Sequence, residues 1–215
     1  MSSLSEQRTF YLLTSFSYCR KKLSRLKLDT KKQVAEKMDF TESQKDMTRA
    51  YHGGATGVLA SGVVWLSAGL ICTYSSLFNS VVAFLIGGMF IFPMSLVLSK
   101  LLGATGKHAA TNVLGKLAIE SLGILFGGLF IAVVVAQLNG SLFYPIMLVM
   151  IGARYLTFQT LYGLKVYWGL AGVLMISGFY LAIFPSIFTL AAFVGGLIEI
   201  AFALIIYKRS KDLPG

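Results

Sequence analysis

Six apolar runs constrain this chain more than any other feature, because each is roughly the 20 residues needed to cross about 30 Å of hydrocarbon. They cover residues 51–74, 81–98, 117–137, 143–162, 167–184 and 186–207. The last two form a nearly continuous apolar run punctuated only by Pro185 and Ser186. A single helix over both would overshoot any bilayer, so the chain must turn back there as a hairpin. The connections after the first, third and fifth runs are short, which forces antiparallel neighbours. The expected fold is therefore all-α: a polytopic membrane bundle of six transmembrane helices arranged as three hairpins.

Charge orients the bundle. Residues 1–50 hold eleven of the 19 Lys and Arg, among them Arg20, Lys21, Lys22, Arg25, Lys31 and Lys32. The second connection carries Lys100, Lys107 and Lys116, the fourth Lys165, and the tail Lys208, Arg209 and Lys211, while the first, third and fifth carry none. Basic connections mark the cytoplasmic side, so both termini are expected in the cytoplasm. Three segments follow: 1–50, a basic cytoplasmic N-terminal segment; 51–207, a six-helix transmembrane domain; and 208–215, a short basic cytoplasmic tail. The net charge of +10 belongs mostly to the first segment and is read as an orientation signal, with no nucleic-acid partner implied. That head admits four readings. It is a surface helix on anionic lipid, a disordered tail, a basic Ser-rich presequence, or an extension upstream of a natural start at Met38.

Catalytic signatures are missing. His52 and His108 sit at the cytoplasmic edge with a spacing that fits no zinc motif, and Cys19 and Cys72 form no disulfide or metal pattern. No Asp lies inside a span, which excludes a paired-aspartate intramembrane protease. No metal and no cofactor are expected.

Packing signals are plentiful. Small residues recur at steps of four: Gly53, Gly57 and Ser61; Ala83 and Gly87; Gly123 and Gly127; Ala191, Gly195 and Ala203. Such stripes let helices approach closely in lipid, within one chain or, as the alternative, in a homo-oligomer. Pro93 removes a backbone donor and should kink the second span. Tyr51, Tyr144, Tyr167 and Trp168 lie near the expected interfaces, where an aromatic belt forms, whereas Trp65 is deeper and belongs to the core.

Ionisable residues inside a span are costly and mark function or pairing. Glu120 is one turn past Lys116, which reads as an interfacial ion pair. Arg154 and Glu199 are deeper, each roughly 14–16 Å from the cytoplasmic end of its span at 1.5 Å per residue. Glu199 shares the face of Ala191, Gly195 and Ala203, which must pack on protein. The expectation is that Arg154 and Glu199 face each other between the fourth and sixth spans, with Tyr155, Gln159 and Tyr162 completing a polar site. The alternative is that Arg154 snorkels to the cytoplasm and Glu199 is a neutral acid bonded to backbone.

The stretch Gly87-Gly88-Met89-Phe90-Ile91-Phe92-Pro93-Met94-Ser95 resembles a block in small bacterial multi-pass membrane proteins catalogued only as a domain of unknown function. So does Ile151-Gly152-Ala153-Arg154-Tyr155-Leu156-Thr157-Phe158 with Leu161-Tyr162-Gly163. The resemblance covers roughly residues 46–200 and implies a bacterial cytoplasmic membrane location, with no activity, substrate or cofactor attached. Three functions remain open. One is a small transporter or channel-like protein with a water-accessible polar site between the fourth and sixth spans. The second is a tightly packed, non-transporting scaffold or accessory protein. The third is a lipid-modifying membrane enzyme, for which no nucleophile–base pair is visible.

Overall fold

The computed structural model describes residues 38–184 and 188–212, together with the pair 22–23. The readings of the head as surface helix, tail, presequence or upstream extension fall outside those residues, as does the Pro185–Ser186 turn. From Asp39 onward the chain forms one compact unit. The border drawn at residue 50 thus falls inside it.

The described residues hold helices and no strand. Helix α1 is Phe40–Tyr51, followed by a 3-10 turn at His52–Gly54. Then come α2 (Ala55–Tyr74), α3 (Leu77–Leu101) and α4 (Leu114–Leu138). A second 3-10 turn, Gly140–Leu142, precedes α5 (Phe143–Tyr162), α6 (Val166–Ile183) and α7 (Phe188–Lys211). Among the described residues six helical stretches are long and apolar enough to cross a membrane, the first of them running through α1 and α2. The 20 residues of α2 alone rise about 30 Å.

Helix α1 owes its place to side-chain chemistry that apolar patterning does not reveal. Its buried residues, Ser43, Met47, Thr48 and Ala50, form one narrow stripe that lies across the Lys-bearing ends of the spans. Gln44 Nε2 donates to Thr160 O at 2.8 Å, and Thr48 Oγ1 donates to Tyr162 O at 2.9 Å. These are carbonyls that the last turn of α5 leaves without intrahelical partners. Asp46 Oδ2 accepts from Ala109 N at 2.9 Å and from Asn112 Nδ2 at 2.7 Å, which clamps the α3–α4 connection to α1. The chain then reverses through three successive left-handed residues, His52 (φ 49°), Gly53 (φ 62°) and Gly54 (φ 82°). Glycine suits both later positions sterically as well as in φ: a Cβ on Gly53 would lie 2.7 Å from Leu164 Cδ1, and one on Gly54 2.6 Å from Tyr167 Oη.

The spans pack in the order α3, α2, α7, α6, α5, α4, with α7 also touching α5. By backbone packing α3 and α4 are the edge helices, α3 resting on α2 and α4 on α5, while Phe84 and Ser80 of α3 also reach α5 through side chains. Two crossings bring backbones very close: on α2 and α7 a Cβ on Gly62 would stand 3.0 Å from Gly196 O and one on Gly196 2.9 Å from Gly62 O, and on α6 and α5 a Cβ on Gly178 would stand 2.7 Å from Pro145 O. In lipid, where apolar side chains gain little by leaving the solvent, such close backbone contact is what holds helices together. The small-residue stripes are used unequally. Gly87 meets Val64 and Gly195 meets Trp65, but Gly123 and Gly127 have no protein atom within 4 Å of a built Cβ. On α4 the packed glycine is instead Gly128, against Met150. Pro93 lies inside α3, which runs on through it.

Candidate functional site

The centre of the bundle is divided into two aromatic layers. Towards the α2–α3 turn, Trp65, Phe84, Phe143 and Tyr144 pack edge to face, with Trp65 and Phe84 centroids 4.8 Å apart. The Tyr144 hydroxyl bonds Ser80, whose own hydroxyl donates to Ala68 O at 2.6 Å. Towards α1, Tyr155, Phe158, Tyr162 and Tyr167 form the second layer, with Tyr162 and Tyr167 stacked at 5.8 Å. Tyr167 Oη donates to Gly53 O at 2.6 Å and so ties this layer to the left-handed turn.

Glu199, near the midpoint of the 24-residue α7, is 0% exposed. Its Oε1 accepts from Tyr155 Oη at 2.8 Å, a bond that joins α5 to α7. Its Oε2 is buried and has no hydrogen-bond partner among the described residues. Ser61, buried on α2, lies beside the carboxyl. Trp65, one turn further along α2, packs against Gly195, one turn before Glu199, and its indole Nε1 is also buried without a partner. A buried polar atom left unpaired costs on the order of 1–3 kcal/mol. Between the two aromatic layers the described residues therefore leave an unfilled acceptor and an unfilled donor.

Arg154 takes a different direction. It is half-buried, its Nε donates to Ser121 Oγ on α4 at 3.4 Å, and its guanidinium carbon sits 5.1 Å from the Phe158 ring centroid. Arg154 and Glu199 therefore have separate partners, and the link expected between the fourth and sixth spans is made by Tyr155. Tyr162 is buried two turns further along α5 towards α1, and Gln159 is half-buried, its backbone carbonyl accepting from Gly163 N at 2.8 Å. Lys116 and Glu120 are both exposed on α4, one turn apart. Of the expected site residues, Tyr155 and Glu199 come together, Tyr162 joins Tyr155 through the ring contacts of Phe158 and Tyr167, and Arg154 faces α4.

The aromatic belt needs a correction. Trp168 is 62% exposed and faces outward, but Tyr144 at 1% and Tyr167 at 0% are interior. Tyr167 is the residue that sequence reasoning missed: as the second residue of α6 it looks interfacial, yet it anchors the lower layer. Its only sequence signal is its pairing with Trp168, which leaves one of two adjacent aromatics facing inward on a helix. Among the described residues no group of three or more His, Cys, Asp or Glu could hold a metal ion.

A family model described as a family of unknown function (DUF7010) matches residues 40–209. No curated protein and no solved structure matches the chain.

Proposed function

Because the chain belongs to this family of unknown function, we propose a reading built from the site itself: a small transporter or channel-like protein of a bacterial cytoplasmic membrane, working through the Tyr155–Glu199 layer between α5 and α7. The observation that carries it is the buried mid-helix carboxyl with one oxygen held by a phenol and the other unpartnered. Ionisable groups at such depth are expensive and mark ion or substrate paths. Helix packing does not demand an acid there, since Ala191 and Ala203 on α7 are buried with no polar side chain at all. In this reading both termini face the cytoplasm and the basic head rests on anionic lipid.

The test is reconstitution of the full chain into liposomes holding a pH-sensitive dye, with imposed gradients of protons, Na⁺ or K⁺ in separate arms. The expected result is a flux in at least one arm that Glu199→Gln abolishes. Leakage no greater than that of empty liposomes in all arms overturns the reading.

One observation favours the scaffold reading as a second. Glu199, Trp65 and Tyr167 are closed off from solvent, so the water-accessible cavity expected at this depth is not open in this arrangement. On that reading the Tyr155–Glu199 bond acts as a register pin between α5 and α7, the role buried polar groups play in some bundles.

A further inference from the structure

We propose that the ligand of the Glu199 site is a proton, carried on Oε2 of the Glu199 carboxyl. The inference deepens the reading above by naming what the same site binds.

The argument starts from the donor set. An ionised carboxylate accepts at two oxygens and about four lone-pair positions, whereas a protonated one becomes a donor at one of them. Here a single phenol donates to Oε1, while Oε2 has no hydrogen-bond partner among the described residues, with the Ser61 hydroxyl lying beside the carboxyl. The groups that face the carboxyl from the three helices packed on α7 are few. From α5 comes Tyr155, with Arg154 beside it in sequence but turned to Ser121 on α4. From α2 come Ser61 and Trp65. From α6 comes Tyr167, which reaches the site only through its ring contact with Tyr155, 5.9 Å between centroids. No cation partner takes up Oε2, and burying an unpaired carboxylate is far costlier than burying the neutral acid.

A metal ion fits the same place badly. Hard divalent cations take six or more oxygens, and this layer offers one carboxyl, one phenol and one serine hydroxyl, with an indole N–H that can only donate. A proton needs none of these. Binding is the reaction of the carboxylate with hydronium from the aqueous side: the O–H bond forms on Oε2, one water molecule is released, and the Tyr155 phenol keeps its own proton. The new O–H then has the Ser61 hydroxyl beside it as an acceptor. On release the proton returns to water, and the Tyr155 hydrogen bond holds the carboxylate that remains.

Infrared difference spectroscopy on the purified full-length protein, recorded between acid and alkaline buffers and in H₂O against D₂O, reads the carboxyl directly. The expected result is a protonated-carboxyl C=O band that shifts in D₂O, disappears in Glu199→Gln and moves in Tyr155→Phe, where Oε1 loses its donor. A carboxyl region unchanged by both substitutions overturns the proposal. If Glu199→Gln does not fold, the band shift in Tyr155→Phe decides alone. The band with no flux in liposomes would sink the transport reading and leave the proton site standing. Flux that Glu199→Gln abolishes, without the band, would do the reverse.

Discussion

Arg154 and Tyr155 are consecutive residues that reach different helices, because one step along an α-helix turns the side chain by about 100°. Arg154 swings to Ser121 on α4 and Tyr155 to Glu199 on α7. The depth of Glu199 and its place on a small-residue face were legible in the sequence, and the structure buries it accordingly. Its partner was not legible, because counting residues from a span's end fixes height in the bundle and leaves rotation about the axis open. A double-mutant cycle in detergent tests the result. The unfolding losses of Arg154→Gln and Glu199→Gln should add to within about 0.5 kcal/mol, as for residues with separate partners. A larger favourable coupling would restore the direct pair.

At the scale of the element, α4 carries two kinds of glycine. Gly128 is pressed on Met150, whereas Gly127, its neighbour, faces open space. Thermal unfolding in detergent should separate them. Gly128→Leu should cost about 1–3 kcal/mol by overpacking, and Gly127→Leu should stay within about 0.5 kcal/mol. Equal losses would mean that both faces of α4 are packed. Loss of self-association in Gly127→Leu alone would place a second copy on that stripe. Spacing by fours pointed to Gly123 and Gly127 because a repeat identifies a face, but it does not say whether the neighbour on that face is protein or lipid. Helix α1 escaped for the opposite reason. Its buried positions are Ser43, Met47, Thr48 and Ala50, a stripe with a single large apolar side chain, and its docking rests on Met47 in the core together with hydrogen bonds to α5 carbonyls and to the α3–α4 connection.

For the molecule as a whole, the six apolar stretches were readable from hydropathy because span length is set by the bilayer and not by neighbours. The packing order was not readable, since lipid-facing and protein-facing sides of these helices have nearly the same composition. Orientation remains a prediction from charge. Reporter fusions should place Lys107 and Lys211 in the cytoplasm and Asn139 outside, and a cytoplasmic signal at Asn139 would break the alternation. The two edge helices have a mechanical consequence. Helices α3 and α4 follow one another in the chain yet stand at opposite ends of the backbone packing order, linked in sequence by residues 102–113, and at their other ends Leu77 of α3 lies against Gly140 just past α4. Twelve residues at no more than about 3.5 Å each make a tether of roughly 40 Å when taut. Asp46 and Asn112 hold part of that length against α1. The clamp on α1 therefore takes up slack in the one connection long enough to let these two helices part at that end.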